Sequence, residues 1–403
     1  MKAACMLLAV ALPILAQEKP PSLETKLRAA LQAKTGTVAL PSGIIEISRE
    51  ITLPGDAHDL AIRGSETTIK ASAEFRGRAL IVVPAGKNIA IRDLLLDGNR
   101  EAFTQPVASA PSGAMLSRVI ANNGIVAEGV TGLEIAQVKA TQIAGFPILV
   151  NGGHNVHIHD IEITDSGSLD ANGRNNGSGG VVLEEGVTDF EILHALIGKV
   201  RGNGIWIRSA DNTIAARGRI ADSEFAILAR AAIEINHASA VTIENNTGHM
   251  FGFPGEETVT TGTVLPAAIV TTGAADHVAI RNNQFEQIAG RCFSLDGFND
   301  GEVTGNQCSA TLFNALLIRG MANHITGNHF TDLNNAHRDQ PESLRAGVFV
   351  AAGASGNTID SNEISGYGMA QHCIGGSAEA NKVTKNVCSD GVAFGMLQHA
   401  IPR

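Results

Sequence analysis

An asparagine that recurs at one point of a repeat is the feature that most constrains the fold of this chain. In six places an aliphatic residue is followed three positions later by asparagine: Ile243 and Asn246, Ile280 and Asn283, Val303 and Asn306, Ile325 and Asn328, Ile359 and Asn362, and Val383 and Asn386. The gaps between these asparagines are 37, 23, 22, 34 and 24. A period near 23 indicates one turn of a three-sheet solenoid, whose stacked coils share a continuous core. Asparagine tolerates left-handed backbone and bonds to its own copy, so the six predict a ladder inside one turn.

The same coil continues upstream through short strands that alternate apolar and variable residues. One strand recurs at 133–135, 156–158 and 190–192, and a second at 148–150, 205–207 and 233–235. Residues 23–33 have helical apolar spacing, and they predict a cap at about 22–36 that covers the open end of the core.

The segment before these coils resembles a known superfamily. Residues 37–43 (Thr-Val-Ala-Leu-Pro-Ser-Gly), followed by Ile45, Ile47 and Ile51, look like the opening strand of pectate-lyase-like β-helix proteins. Together with the ladder, the resemblance covers residues 22–395. It implies an all-β fold: a right-handed single-stranded parallel β-helix with about 10–12 coils, an N-terminal capping helix and loop insertions on one face. The superfamily holds lyases, hydrolases, epimerases, tailspikes and non-catalytic proteins, so the fold does not choose the activity.

The N-terminal residues and the composition suggest an exported protein. Residues 1–16 have the charge, short apolar run and small final residue of a signal peptide, which leaves 17–403 as a single β-helix domain. No later segment is apolar enough to span a membrane, so we expect a secreted or periplasmic protein. The net charge of −10 argues against a nucleic-acid partner.

Four cysteines follow the expected signal peptide: Cys292, Cys308, Cys373 and Cys388. They form two pairs with similar spacing, and each pair is either a disulfide in an oxidising compartment or two small buried hydrophobic residues.

Four stretches lengthen the repeat, at about 99–122, 165–180, 248–266 and 331–346. All leave the coil at the same corner, and the last three occur on every third coil, about 14 Å apart at the spacing of β-strands. Insertions at one corner stack on one face of a solenoid, which is often the binding face. They predict a groove for a polysaccharide.

The floor of this groove supplies candidate site residues. Trp206 is the only tryptophan, and because Ile205 and Ile207 face the core, it points outward as a platform for a sugar ring. Glu234 takes the same slot one coil later. The other substrate-binding candidates are Lys199, Asn236 and Arg319, and the catalytic candidates are Glu184, Arg201, Arg208, Glu234, His237 and Asp296. The alternative is a solvated ladder of charges.

An acidic turn runs from Asp296 to Gly301. Asp296 and Asp300 could bind calcium through hard oxygen ligands, act as acid and base in hydrolysis, or simply form a good turn. No other cofactor is expected. His337, Arg338 and Asp339 in the fourth insertion form an isolated triplet with a weak catalytic signal.

Three functions fit these residues. The first is a polysaccharide lyase, in which Lys199, Arg201 or His237 is the base and Arg208 or calcium neutralises a uronate. The second is a glycoside hydrolase with paired carboxylates from Glu184, Glu234 and Asp296. The third is a non-catalytic glycan-binding or envelope protein. A monomer or a homotrimer is expected. No catalytic signature of the superfamily matches, so every role depends on the register of the strands.

Overall fold

The computed structural model describes residues 21–103, 110, 113–173, 175–253, 265–336 and 340–391. The expected signal peptide at 1–16 and the triplet His337, Arg338 and Asp339 lie outside these residues. The described residues form 33 strands whose pairings are parallel throughout. The fold is a right-handed parallel β-helix, as predicted.

The strands follow one another with short turns, and their bounds are as follows. The first group is β1 (Gly36–Ala39), β2 (Gly43–Thr52), β3 (His58–Val83), β4 (Lys87–Asp97), β5 (Asn123–Glu128), β6 (Thr131–Thr141), β7 (Ile148–Asn151), β8 (His154–His159) and β9 (Glu162–Ser166). The second is β10 (Val181–Glu184), β11 (Thr188–Leu193), β12 (Leu196–Val200), β13 (Ile205–Arg208), β14 (Ala215–Ala221), β15 (Glu224–Leu228), β16 (Ile233–Glu244) and β17 (Thr247–Phe251).

The C-terminal group is β18 (Ala267–Asp276), β19 (Ala279–Arg281), β20 (Gln284–Ile288), β21 (Arg291–Asp296), β22 (Phe298–Asn299), β23 (Glu302–Thr304), β24 (Gln307–Thr311), β25 (Leu316–Arg319), β26 (His324–Thr326), β27 (His329–Leu333), β28 (Val348–Val350), β29 (Thr358–Asp360), β30 (Glu363–Gly366), β31 (Ile374–Gly376), β32 (Lys382–Thr384) and β33 (Val387–Asp390). The helices of the described residues are α1 (Leu23–Ala30), α2 (Leu116–Val119) and α3 (Glu342–Arg345), with 3-10 turns at Arg100–Ala102 and Ala378–Ala380.

Strand pairing arranges the coil into three faces. Face 1 contains β10, β13 and the start of β16; face 2 contains β11, β14 and the rest of β16; face 3 contains β12, β15 and β17. Each coil runs from face 1 through face 2 to face 3. Every inner strand pairs with the coil before it and the coil after it, so its backbone groups are hydrogen-bonded.

The N-terminal end of the core is closed by α1, as expected. The Ser22 side chain caps this helix by accepting the N–H of Thr25 at 3.2 Å. Leu27 and Leu31 are fully buried against the first coils. The helix thus covers apolar side chains that the first coil would otherwise expose to water.

The predicted asparagine ladder is present. Successive Nδ2–H groups donate to the next Oδ1 at 2.9–3.0 Å, from Asn246 through Asn283, Asn306, Asn328 and Asn362 to Asn386. The second donor of Asn283 bonds to the carbonyl of Ile243 at 3.0 Å. The buried amides are therefore satisfied, which removes the cost of burying them.

The ladder differs from expectation in one respect. The left-handed backbone lies at the residue before each ladder asparagine, at Asn245, Asn282, Gly305, Gly327, Ser361 and Lys385. The asparagine side chain stabilises this turn from inside the coil. A second ladder, which the sequence analysis did not find, joins Asn323, Asn357 and Asn381 at 2.8 Å in the turn from face 1 to face 2.

All four insertions leave the coil between face 3 and face 1. They follow β4, β9, β17 and β27 and precede β5, β10, β18 and β28. The last three occur on every third coil, because β12 and β15 separate β9 from β17, and β20 and β24 separate β17 from β27. The predicted placement on one side is confirmed.

Both cysteine pairs form disulfides. Cys292 bonds to Cys308 with Cα atoms 6.1 Å apart, and Cys373 bonds to Cys388 with Cα atoms 5.8 Å apart. Each bridge links the start of a face 1 strand to a following strand on face 3. Of the two alternatives, disulfides or small buried hydrophobic residues, the structure has the disulfides. Among the described residues, none of the helices has the length and apolar character to cross a membrane.

Candidate functional site

Face 1 carries two columns of outward-pointing side chains, beside the corner from which the insertions leave the coil. The first outward column consists of Val82, Val126, Leu149, Val182, Trp206, Glu234, Val270, Ser294, Leu317 and Phe349. The second outward column consists of Glu128, Asn151, Glu184, Arg208, Asn236, Thr272, Asp296 and Arg319. The predicted register is confirmed, because Trp206 adjoins Glu234 and Glu184 adjoins Arg208.

The N-terminal half of face 1 is covered by the first insertion. Leu116 and Ile120, together with Phe146, pack on Val126, Leu149 and other first-column residues in an apolar cluster separate from the main core. Outward side chains there are as buried as core residues. The part of the face that a ligand can reach therefore begins near Trp206.

Glu184 lies under this cover rather than in solvent. Its carboxylate is fully buried, accepts the N–H groups of Leu116 at 2.6 Å and Ser117 at 3.0 Å, and pairs with Arg208. Arg208 also donates to the carbonyl of Ala114 at 2.9 Å. The expectation that these two side chains face an open groove is corrected. They point outward as predicted, but they hold the insertion, which leaves Glu184 inaccessible to a substrate.

Trp206 stands at the edge of the covered region. It is half-buried against the apolar cluster of the insertion, and the guanidinium carbon of Arg208 lies 5.1 Å from its ring centroid. Its indole N–H finds no acceptor among the described residues. The ring points outward as predicted, but one part of it packs under the insertion and only the rest faces solvent.

Glu234 is held in place beside Trp206. One carboxylate oxygen accepts the Nδ2–H of Asn203 at 2.7 Å, and Arg230 lies 3.9 Å from the same oxygen. Asn203 is itself fixed by the N–H of Ala231 at 3.0 Å. The Glu234 side chain keeps 13 % of its surface exposed. Its other oxygen makes no hydrogen bond among the described residues, so it can accept one from a ligand.

Asn236 and His237 follow at the turn toward face 2. Asn236 donates to the hydroxyl of Thr272 at 2.9 Å. His237 has left-handed backbone, with φ of 57°, and its ring packs over Gly273, where a Cβ would lie 2.8 Å from ring atom Cε1. The glycine thus makes room for the imidazole at the edge of face 1.

Lys199 and Arg201 do not join this group directly. Lys199 is exposed on face 3, with left-handed backbone at φ of 52°. Arg201 is half-buried at the corner, next to the bridge between Gly202 and Gly177 of the second insertion. The corner separates Lys199 from Trp206.

Asp296 pairs with Arg319 on the next coil at 3.6 Å, and both side chains are about half exposed. Asp300 is exposed at the following turn, with its N–H bonded to the carbonyl of Met321 at 3.0 Å. Among the described residues, no three His, Cys, Asp or Glu side chains are grouped as metal ligands. Calcium binding by Asp296 and Asp300 stays a prediction, and no chemical step is derived from it.

Sequence reasoning missed Arg291, the first residue of β21. Its side chain is 5 % exposed, and its Nε and Nη1 groups have no acceptor among the residues that the structure describes. Burial, and then the positive charge of Arg319, lower the pKa of Arg291 to about 10. Strand alternation did not predict this burial, because the residue lies in a corner of the coil. The available signal was an arginine at a position that holds Ala267 one coil earlier.

A separate depression of about 430 Å³ lies on face 2. It is lined by Glu134, His157, Ile158, His159, Asp160, Glu191, Leu193 and His194. His157 bonds to Glu191 at 3.0 Å, and His159 bonds to Asp160 at 2.8 Å and to Glu134 at 3.1 Å. These pairs satisfy each other on an open surface away from the insertions, so we place the candidate site on face 1.

Comparison with known proteins agrees with this architecture. The family described as "Right handed beta helix region" matches residues 267–399. No curated protein sequence matches the chain significantly. The match and the strand pairing together show a right-handed parallel β-helix.

Several solved structures share the fold at low sequence identity. The A-module of the mannuronan C-5 epimerase AlgE6 of Azotobacter vinelandii has a TM-score of 0.62 and 15 % identity, over 92 % of this chain and 95 % of that one. DFA-IIIase of Arthrobacter chlorophenolicus A6 has a TM-score of 0.57 and 13 % identity, over 90 % of this chain and 93 % of that one. The exopolygalacturonase of Thermotoga maritima has a TM-score of 0.52 and 12 % identity, over 93 % of this chain and 88 % of that one. At these identities the likeness establishes the fold.

Proposed function

We propose that this protein binds a polysaccharide along face 1, from Trp206 toward the C-terminal coils, and cleaves it. The observation that carries the proposal is the adjacency of Trp206 and Glu234 where the cover of the first insertion ends. An aromatic ring beside a fixed carboxylate suits a sugar, which offers an apolar ring face and hydroxyl donors.

The spacing of the coils supports the same function. Neighbouring coils lie about 4.8 Å apart, which is close to the length of one sugar unit. Successive outward residues such as Glu234 and Val270 can therefore meet successive units of a glycan along the axis. The insertions after β17 and β27 leave the coil at the corner beside this face.

Similar structures add support of a coarser kind. They include an epimerase of mannuronan and an exopolygalacturonase. Both names refer to polymers of sugars, and both proteins share this fold over most of their length. We therefore carry the polysaccharide, but not a particular linkage, to this chain.

The described residues narrow the chemistry of cleavage. Of the three carboxylates considered for hydrolysis, Glu184 is inaccessible, while Glu234 and Asp296 remain partly exposed on different columns. For β-elimination, His237 is the candidate base nearest the groove, because Lys199 lies on face 3. A non-catalytic glycan-binding protein is the alternative, and it is favoured by the use of Glu184 and Arg208 to hold the insertion.

A panel digestion tests the proposal. The full chain is incubated with pectate, alginate, glycosaminoglycans and neutral glycans, with and without calcium, while ultraviolet absorbance and reducing ends are followed. New absorbance means β-elimination and is expected to vanish in His237→Ala. Reducing ends without absorbance mean hydrolysis and are expected to vanish in Glu234→Gln. Binding without either product favours the alternative, and failure to bind any glycan contradicts the proposal.

We also propose that the chain works outside the reducing cytosol. The two disulfides support this location, because such bonds persist mainly in oxidising compartments. The matching test is the fraction of the producing cell in which the protein is found.

A further inference from the structure

Asn203 lies between two glycines at the corner where face 3 turns into face 1. Both glycines pack closely on neighbouring backbone. A Cβ on Gly202 would lie 2.2 Å from the carbonyl oxygen of Gly177, and a Cβ on Gly204 would lie 2.7 Å from that of Ala232. Asn203 itself is 3 % exposed. Its backbone is therefore held tightly, and its amide group has a fixed place inside the corner.

The same corner position is occupied by Asn123 three coils earlier. Both asparagines lie two residues before the first core residue of a face 1 strand, and both use Oδ1 in the same way. Asn123 accepts the N–H of Phe146 at 2.7 Å, and Asn203 accepts the N–H of Ala231 at 3.0 Å. Phe146 and Ala231 hold this position on the coils that follow, so the coil does not require an asparagine there.

The two asparagines differ in the acceptors of their Nδ2 groups. Asn123 donates to the backbone carbonyls of Arg78 at 2.8 Å and Ile120 at 2.9 Å. Buried carbonyls need such donors, so Asn123 serves the fold. Asn203 donates instead to Oε2 of Glu234 at 2.7 Å. The Glu234 side chain is 13 % exposed and can take hydrogen bonds from water. The bond from Asn203 therefore fixes the carboxylate rather than satisfying it.

The fixed carboxylate presents one oxygen to a ligand. A hydrogen bond to a charged acceptor is stronger than a neutral one, so a single bond from Asn203 can hold the flexible side chain of Glu234. Arg230 lies 3.9 Å from the same oxygen, Oε2, which leaves Oε1 free to accept. Ordering a side chain before binding removes that entropic cost from the binding step.

We propose that Asn203 is a positioning residue of the glycan site. It holds Oε2 of Glu234 so that Oε1 accepts a hydroxyl of the sugar unit that stacks on Trp206, the neighbour of Glu234 on the previous coil. The inference rests on the proposed function and deepens it, because it gives a buried corner residue a part in binding that acts through Glu234.

A double-mutant cycle tests whether Asn203 acts through Glu234. Calorimetry measures the affinity of the full chain for oligogalacturonate, oligomannuronate and cello-oligosaccharides. Glu234→Ala is expected to weaken binding about tenfold, because a hydrogen bond to a charged group is lost. Asn203→Ala is expected to weaken it about fivefold, because Glu234 is no longer ordered. The double variant is expected to bind as Glu234→Ala does. An equal loss from Asn203→Ala in both backgrounds would overturn the inference.

Asn246→Ala is the matched control for stability. Asn246 is also fully buried, accepts the N–H of Ser223 at 3.1 Å and donates to Asn283 at 3.0 Å, but it lies on the far side of the coil from face 1. Its loss is expected to lower Tm and leave glycan affinity unchanged. If Asn246→Ala and Asn203→Ala weakened binding equally, affinity would follow stability, and the inference would be overturned.

Glu234→Asp tests the same idea if Asn203→Ala does not fold. This variant changes only an outward side chain and shortens the carboxylate by one methylene, so it cannot reach both Asn203 and the sugar. It is expected to bind as weakly as Glu234→Ala, and wild-type affinity would contradict the need for a fixed position. Binding that weakens in Trp206→Ala but not in Asn203→Ala overturns the inference and leaves the proposed function standing. Failure of the wild type to bind any glycan overturns the proposed function itself.

Discussion

Arg208 and Glu184 lie side by side on adjacent coils and form an ion pair beneath the first insertion. The carboxylate also accepts two N–H groups at the start of α2, and the guanidinium donates to the carbonyl of Ala114. The pair is thus shared between a rigid coil and the loop that covers it. Its buried charges are compensated by one another and by backbone groups.

Glu184→Gln is expected to lower the free energy of unfolding by about 3 kcal/mol, because it leaves Arg208 buried without its counter-charge. Urea unfolding measures the loss. The control is Glu128→Gln in the same column, whose partner Arg78 is 38 % exposed. That partly exposed pair is expected to contribute under about 1 kcal/mol. Equal losses in both variants would contradict the structural role of Glu184.

Trp206→Ala is expected to weaken glycan binding about fivefold, since stacking on an aromatic ring contributes about 1 kcal/mol. Trp206 is the only tryptophan, so its fluorescence in the wild type reports on binding directly. Calorimetry measures the variant, and Trp206→Phe, which keeps a smaller ring, is expected to fall in between. An unchanged affinity in Trp206→Ala would remove the stacking role.

Stability is expected to decrease slightly as pH rises above neutrality because of His159. Burial alone would lower the pKa of His159, but its bonds to Asp160 and Glu134 outweigh burial and raise the pKa above 6.5. A raised pKa stabilises the fold below 6.5, and this contribution is lost as pH rises through the folded-state value. The effect is expected to be under about 1 kcal/mol, because the side chain is 32 % exposed.

The check is Tm as a function of pH in His159→Gln. This variant is expected to lose part of the decline between pH 6 and 8 that the wild type has, while His277→Gln keeps it. His277 is exposed on face 2 and in no ion pair among the described residues. Identical pH profiles in the wild type and His159→Gln would show that the histidine makes no net contribution.

Loss of the Cys292–Cys308 bridge is expected to cost about 3 kcal/mol, the chain-entropy value for a closed loop of this size. The two cysteines are 16 positions apart. Unfolding of the Cys292→Ala/Cys308→Ala double variant measures the loss, and a mass increase on reduction and alkylation identifies the bond. Free thiols in the native protein would contradict it.

Much of the fold was predictable because it repeats. The coil, the register and the corner of the insertions were predicted from the ladder of Asn246 to Asn386 and from the alternation around Trp206. The second ladder was equally visible, because Asn323, Asn357 and Asn381 each precede a ladder asparagine by five positions. It was missed because no aliphatic residue marks the same place before each of them.

The candidate site was less predictable, because the direction in which a side chain points does not show whether the side chain is exposed to solvent. Alternation turned Glu184 outward correctly, but it cannot reveal that Leu116 and Ile120 return to cover that half of the face. Arg291 was not predicted as a site residue for a different reason: it lies in a corner of the coil, where the alternation of a strand does not apply. Both errors concern contacts between a non-repeating insertion and a repeating coil, which periodicity does not describe.

The position of the insertions has a further consequence. Each coil bonds only to its two neighbours, and every insertion leaves from the same corner without shifting the strands that follow. A wall can therefore be lengthened, shortened or exchanged while the columns beneath it stay aligned. In such a molecule the choice of ligand can evolve separately from the stability of the scaffold, with one loop replaced at a time.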